Sequence, residues 1–178
     1  VGEGTKAVAP FGDLSPASRT ASWSTYWPLK PDVVLEGGNW AASNSPPPMR
    51  HGWLSLLSTD HRYPQRSFSF TFDTSAATAL AANQISTLWS EYPMLWPETV
   101  RGLYVSSARW TSQMRSHLPS GANPPKGSFA PLFQRYGYGV PDLDRARRSA
   151  SNALTLIVED TITPYALSDK TGNDVHHE

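Results

Sequence analysis

The chain has 178 residues, a length that fits one domain or a large part of one. Its 15 basic and 15 acidic residues cancel, so the charge does not point to nucleic acid or to an anionic membrane surface as a partner. The absence of cysteine excludes disulfides, thiolate metal sites and a cysteine nucleophile. No apolar run approaches the roughly 20 residues of a membrane span. Because the chain opens at Val1 without methionine or a signal sequence, we expect it to be a piece of a longer protein.

The first third of the chain contains two short predicted strands and one long predicted loop. Thr5–Ala9 is a short apolar run typical of a buried strand. Lys30–Gly38 contains β-branched residues, begins with a proline step and ends in a double glycine, which predicts a second strand. Ala41–Arg66 has no sustained period and contains three consecutive prolines. It is therefore predicted to be a long loop, a kind of segment that is often functional inside compact domains.

The middle of the chain, Ser67–Tyr92, combines a strand pattern with a helix pattern. Aromatic and hydroxyl residues alternate in its first part, which predicts a strand whose phenylalanines form a buried face. Asp73–Ser75 then interrupts the alternation, and the alanine-rich run that follows predicts a helix.

Two further helices are predicted in the second half of the chain. Pro97 suits the first position of a helix over Glu98–Ala108. Trp110–Arg135 has no clear period and contains adjacent prolines and glycine, so it is predicted to be irregular. Tyr136–Gly139 has the composition of a tight turn, and a short helix is predicted to follow it as far as about Ser149.

The last segment is predicted to be β-rich. Asn152–Asp160 is an apolar run typical of a strand, and a weaker strand is predicted over Thr161–Tyr165. The first of these strands either begins a C-terminal extension or adds an edge strand to the preceding domain. Because strands alternate with helices along the chain, the predicted fold class is α/β with mostly parallel strands.

Ser75 is the candidate nucleophile on local chemistry. It lies at the predicted start of a helix, where backbone amides are unpaired and partially positive and would stabilise an oxyanion. The alternative is structural, because Asp73, Thr74 and Ser75 are all residue types that commonly cap a helix N-terminus. Local chemistry alone leaves both interpretations open.

Four segments, in this order, resemble the C-terminal part of the catalytic domain of the subtilisin-like serine peptidases, the subtilases. Lys30–Gly38 resembles the Lys-Pro-Asp-Ile-Val-Ala-Pro-Gly strand of that family, and Asp73–Ala79 resembles its nucleophile motif Gly-Thr-Ser-Met-Ala-x-Pro. Glu98–Ala108 is similar to the helix that follows the motif, which ends in a Ser-Ala or Thr-Ala step. Tyr136–Asp142 is similar to the Tyr-Gly-x-Gly-x-Val-Asp turn before the last helix of the family.

The resemblance implies a fold and a division of the chain. The fold would be the C-terminal portion of a three-layer α/β domain with a mostly parallel sheet and a central helix that starts at the nucleophile. Residues 1–150 would form the C-terminal part of the catalytic domain. Residues 151–178 would form the start of a β-rich extension and a frayed polar tail.

The resemblance also implies roles for two residues in a serine endopeptidase. Ser75 would be the nucleophile that forms the acyl-enzyme, and its own backbone N–H would be one donor to the oxyanion. Thr74 would support the same oxyanion through its hydroxyl. In such a mechanism a histidine removes the serine proton, an aspartate orients that histidine, and an asparagine amide completes the oxyanion site.

The remaining triad members are expected outside these residues, since the aspartate and histidine motifs of subtilases precede the region that this chain resembles. The resemblance therefore implies that the chain alone does not hydrolyse peptides. Its implied partners are a peptide or protein substrate and the remainder of its own catalytic domain. It implies no cofactor, and no acidic cluster has the ligand spacing of a metal site.

The nucleophile motif departs from the family pattern at two positions. Asp73 stands where subtilases have glycine; aspartate tolerates left-handed backbone better than most residues, but a carboxylate is unfavourable beside an oxyanion unless it points away. Leu80 stands where subtilases have proline, and this change is neutral or favourable for helix stability.

Three alternatives remain open on sequence grounds. The first is a self-contained triad in which His51 or His61 and a nearby carboxylate, Asp60 or Asp73, activate Ser75. The second is a non-catalytic, subtilase-like scaffold or binding domain in which Ser75 only caps a helix. A third possibility concerns the C-terminal residues His176, His177 and Glu178, which would bind a metal or simply form an exposed end.

Overall fold

The computed structural model describes residues 4–20, 30–43, 47–121, 123–151 and 155–161, together with the backbone of 165–167 and 174–176. The described helices are α1 (Asp73–Glu91), α2 (Pro97–Ser106), α3 (Ser112–Arg115), α4 (Phe129–Tyr136) and α5 (Leu143–Ser151). The described strands are β1 (Lys6–Ala7), β2 (Trp40–Ala42), β3 (Met49–Arg50), β4 (Leu56–Thr59), β5 (Phe68–Thr71), β6 (Tyr165–Leu167) and β7 (Asp174–His176). In the described part of the chain, no helix has the length and apolar character needed to cross a membrane.

The described strands form three small antiparallel sheets. One sheet has the order β1-β2-β3, and the other two are the pairs β4-β5 and β6-β7. The combination of helices and sheets is compatible with the predicted α/β class. The described ladders, however, do not confirm the mostly parallel sheet. Antiparallel strands need only short connections, and the loop of residues 60–67 joins β4 to β5 in this way.

The predicted strand over Lys30–Gly38 is wrong, because these residues belong to none of the described strands. Residues 31–38, here called the central segment, instead form backbone hydrogen bonds with the glycine turn near residue 138. The Tyr138 amide donates to the Asp32 carbonyl at 2.8 Å, and the Val34 amide donates to the Gly139 carbonyl at 3.0 Å. Some backbone groups of the central segment are therefore hydrogen-bonded to a turn rather than to a neighbouring strand.

Three helices form the main core. Helices α1, α2 and α5 pack together, and the predictions of α1 and α2 are confirmed with Pro97 at the first position of α2. The buried residues of this core come from all three helices: Leu88, Val100, Leu103, Tyr104 and Ala146. The central segment contributes Val33, which packs against the same cluster.

A second core shows that the prediction of an irregular Trp110–Arg135 was wrong. This region contains α3 and α4, whose Met114, Leu132 and Tyr136 form a buried cluster. The Thr111 hydroxyl accepts a bond from the Met114 amide at 3.1 Å and so caps α3. Helix α3 has only four residues, too few to show a hydrophobic period in the sequence.

Two further predictions about regular structure are corrected. Ala41–Arg66 is not one loop, because it contains the end of β2, all of β3 and β4, and a 3₁₀ turn over Gly52–Leu54. Residues 155–160 of the predicted strand Asn152–Asp160 are not in a strand, and residues 152–154 lie outside the described chain. The Glu159 carboxylate instead accepts a bond from the Trp96 amide at 2.8 Å. The domain division at residue 150 stays a prediction.

The aromatic face of β5 is exposed, contrary to the prediction that it is buried. Phe68 and Phe70 are 60% and 57% exposed, whereas Ser69 and Thr71 on the opposite face are half-buried. The two faces of β5 do differ in burial, but the aromatic face is the exposed one. The hairpin of β4 and β5 has two strands only, and of its aromatic side chains the Phe70 ring lies close to Gly52, where a Cβ would come within 2.9 Å of it.

Candidate active site

Ser75 is the third residue of α1 and is exposed to solvent. The chain passes from β5 through Phe72, the N-cap of the helix, and enters α1 at Asp73. Asp73 has a φ of +67°, and among the described residues it is the one non-glycine residue with positive φ. A strand, a left-handed residue and a helix N-terminus thus present the serine at a sharp change of chain direction.

The double glycine of the central segment holds this turn. The Asp73 amide donates to the Gly37 carbonyl at 2.7 Å, and a Cβ at Gly37 would lie 2.7 Å from the Asp73 carbonyl oxygen. Gly38 has a φ of +80°, and a Cβ there would lie 2.7 Å from the Leu54 carbonyl oxygen. Only glycine allows both close approaches, so this pair positions the start of α1.

The Ser75 amide is available as a hydrogen-bond donor. The first amides of a helix have no acceptor within the helix. The Asp73 amide donates a hydrogen bond to the Gly37 carbonyl, but no described residue accepts a hydrogen bond from the amide of Thr74 or Ser75. The Ser75 hydroxyl likewise has no hydrogen-bond partner among the described side chains. An oxyanion beside Ser75 would therefore meet a free N–H at the positive end of a 19-residue helix.

Thr74 faces a cavity that Ser75 does not line. The cavity has a volume of about 300 Å³ and lies between the central segment, the loop of residues 12–20 and the first turns of α1. Thr74 is exposed, and its carbonyl accepts a bond from the Thr78 hydroxyl at 2.8 Å.

The described histidines do not form a triad with Ser75. His51 Nδ1 accepts a weak bond from the Trp53 amide at 3.4 Å, and His61 Nδ1 lies 3.4 Å from the Asp60 carboxylate. His117 Nε2 lies 3.1 Å from the Asp13 carboxylate. None of these three rings hydrogen-bonds the serine, so the alternative of a self-contained triad is not supported. The side chains of His176, His177 and Glu178 lie outside the described part of the chain.

The buried carboxylate of Asp60 is stabilised by neighbouring residues of its own loop. Its side chain is 1% exposed and closes the loop between β4 and β5. Bonds from the Arg62 guanidinium and amide, together with one from Arg66, hold the pKa of Asp60 well below its ordinary value. Because those groups occupy the carboxylate, Asp60 serves the hairpin rather than a catalytic histidine.

Asp73 is paired with Arg50, a residue that the sequence did not single out. Arg50 Nη2 contacts Asp73 Oδ2, and the guanidinium carbon lies 5.5 Å from the centre of the Phe72 ring. The two residues are 23 positions apart, and nothing in the local pattern of either predicts the contact. The signal for Gly37, by contrast, was present in the double glycine that ends the Lys-Pro-Asp segment.

The other two motifs join the same unit. Ser107, buried at the end of α2, accepts a bond from the Asp142 amide at 3.0 Å through its hydroxyl. The turn before α5 lies against the central segment, where a Cβ at Gly137 would lie 2.1 Å from the Pro31 carbonyl oxygen. All four motifs therefore meet around the central segment and the core of α1, α2 and α5.

No group of three or more histidine, aspartate or glutamate residues that could hold a metal ion occurs in the described chain.

Comparison with known proteins gave one family match. The model of the subtilase family matches residues 4–139, which is more than half of the chain. No curated protein and no solved structure matched.

Proposed function

Because the chain belongs to the subtilase family, whose members are serine-type peptidases, we propose that it supplies the nucleophile of a serine endopeptidase, Ser75, with Thr74 supporting the oxyanion. One observation carries the proposal. Ser75 follows a left-handed residue at the third position of a long helix, and no described residue accepts from its amide.

The proposed reaction is acyl transfer through Ser75. Its Oγ attacks the carbonyl carbon of the scissile peptide bond while a histidine takes the proton. The Ser75 amide stabilises the oxygen that becomes negatively charged, and the Thr74 hydroxyl assists. The C–N bond then breaks, the amine leaves with the proton from the histidine, and water hydrolyses the acyl-enzyme.

The histidine and its aspartate come from outside these 178 residues in this proposal. The described histidines contact a backbone amide or a carboxylate and not Ser75, which supports a catalytic histidine from outside these residues. Helix α1 supports it too, since only Ala76 and Leu88 of its residues are buried although the family resemblance makes this helix central. The partner would be the remainder of the same catalytic domain, and the substrate a peptide or protein.

The test compares variants of the natural full-length protein on internally quenched peptides. Ser75→Ala is expected to lower kcat by a factor on the order of 10⁴ or more, because the acyl-enzyme cannot form. Ser86→Ala is a matched control, since Ser86 is an exposed serine of the same helix. The 178-residue chain alone is expected to show no hydrolysis.

The main competing function is a non-catalytic subtilase-like scaffold, which the carboxylate of Asp73 close to the proposed oxyanion site would favour. A scaffold predicts that Ser75→Ala and Ser86→Ala behave alike and that the parent protein hydrolyses no peptide. That pair of results would contradict the endopeptidase proposal.

A further inference from the structure

The nucleophile helix begins with a charge that an oxyanion site would not tolerate unaided. Asp73 is the first residue of α1, two positions before Ser75, and its side chain is 25% exposed. In a site that is partly shielded from water, a free carboxylate raises the energy of a second negative charge nearby. The same carboxylate would also compete with an oxyanion for the positive field of the helix N-terminus.

Arg50 meets this charge from a different part of the fold. Its guanidinium contacts the Asp73 carboxylate and also lies over the ring of Phe72, so it touches the two residues that lead into the helix. The backbone position of Arg50 is fixed by strand pairing, because Arg50 on β3 lies opposite Trp40 on β2. The sheet of β1, β2 and β3 thus presents a cation to the start of α1.

We propose that Arg50 is a positioning residue that neutralises the Asp73 carboxylate and holds it away from the oxyanion formed at Ser75. This inference rests on the proposed function. Arg50 acts only through Asp73, which stands where the resembled motif has glycine and adopts a left-handed backbone conformation. The pair accounts for the presence of a carboxylate beside a nucleophile that is still able to react.

A purely structural role for the pair makes a different prediction. Arg50 is 54% exposed, and ion pairs at such positions contribute little to the free energy of unfolding. A structural pair would change stability slightly and leave the chemical step unaffected. A positioning role changes kcat, and it does so only while the carboxylate of Asp73 is present.

The experiment is a double-mutant cycle in the natural full-length protein, with peptide hydrolysis and fluorophosphonate labelling as readouts. Arg50→Gln is expected to lower kcat and the labelling rate about tenfold with little change in KM. In the Asp73→Gly background, the same substitution is expected to change neither rate by more than about twofold. Arg50→Lys is expected to retain part of the rate because it keeps the charge.

Arg135→Gln is the matched control. The Arg135 guanidinium also lies over an aromatic ring, at 5.4 Å from the centre of the Tyr136 ring, but pairs with no residue of the nucleophile helix. Its substitution is expected to leave kcat unchanged. Thermal unfolding of every variant separates a loss of rate from a loss of folded protein.

Two results would overturn the role of Arg50: no effect of Arg50→Gln on kcat, or an equal loss in the Asp73 and Asp73→Gly backgrounds. Should Arg50→Gln fail to fold, the single variant Asp73→Gly decides, because its labelling rate is expected to equal or exceed that of the parent and a loss contradicts the proposal. A parent protein that neither hydrolyses peptides nor is labelled removes the proposed function together with this inference. If the parent is labelled but the effects of Arg50→Gln and Asp73→Gly are additive, the inference about Arg50 fails and the proposed function stands.

Discussion

At the scale of single residues, the start of α1 depends on glycine as much as on the serine. The Gly37 carbonyl accepts a hydrogen bond from the Asp73 amide, and the close approach leaves no room for a side chain at Gly37. Gly38 adopts a backbone conformation that other residues rarely take. The geometry of the turn into α1 is thus set by residues about 36 positions earlier in the chain.

Replacing Gly37 with alanine tests this dependence. The new Cβ would lie 2.7 Å from the backbone oxygen of Asp73, so the helix start must shift. We expect Gly37→Ala to lower the free energy of unfolding by about 1–3 kcal/mol, measured by urea denaturation. It should also slow labelling of Ser75.

Gly102→Ala is the control for that substitution. Gly102 is an exposed residue within α2, and a Cβ there would meet no atom within 4 Å. Alanine should therefore raise the free energy of unfolding by about 0.5–1 kcal/mol through its helix propensity. Equal destabilisation by the two substitutions would show that the contact of Gly37 with Asp73 is not what matters.

At the scale of elements, the helices α1 and α2 were predictable from the sequence, whereas α3, α4 and the pairings between segments were not. The alanine-rich run and Pro97 are local signals, and they placed α1 and α2 within a few residues of their observed ends. The partner of the central segment is a glycine turn about 105 positions away, and no local pattern identifies such a partner. The contact between Arg50 and Asp73 was missed for the same reason.

The loop of residues 12–20 illustrates an element held by side chains that are distant in sequence. Burial by itself would raise the pKa of Asp13, but hydrogen bonds from the Tyr136 hydroxyl, the Leu14 amide and His117 outweigh it and lower that pKa. The Tyr136 bond is 2.6 Å long. The carboxylate form of Asp13 therefore ties the loop to α4.

A pH dependence follows from that lowered pKa. A depressed folded-state pKa contributes stability above the ordinary value of 3.8, and the contribution is lost as the pH falls through the folded-state pKa. Tyr136→Phe removes one donor and should cost about 1–2 kcal/mol at pH 7. The difference from the parent protein should shrink below about pH 4, as measured by urea denaturation across that range. A difference that stays constant with pH would contradict the assignment.

At the scale of the whole molecule, the four motifs form one unit around the core of α1, α2 and α5. The sequence order of these motifs was sufficient to predict the family, and the match over residues 4–139 confirms it. The sequence could not show how the motifs contact one another, because each contact joins segments far apart in the chain. It also assigned the phenylalanines of β5 to the core, since alternation shows that two faces differ but not which one is covered.

Leu88 tests whether the three helices fold as one core. Leu88 is 0% exposed and lies in the cluster shared by all three helices. We expect Leu88→Ala to lower the free energy of unfolding by about 2–5 kcal/mol, because it leaves a cavity in the core. Leu57→Ala, on the exposed hairpin at 67% exposure, should change it by less than about 0.5 kcal/mol. Similar effects of both substitutions would show that the helices do not form the main core.

The central claim is that Ser75 is the nucleophile, and the most direct measurement is the site of fluorophosphonate attachment. The natural full-length protein would be labelled, digested and mapped by mass spectrometry, since the reagent bonds covalently to activated serines. We predict a single adduct on Ser75, and none in the isolated 178-residue chain or in the Ser75→Ala variant. A full-length protein that carries no adduct, or an adduct on another serine that persists in Ser75→Ala, would contradict the account.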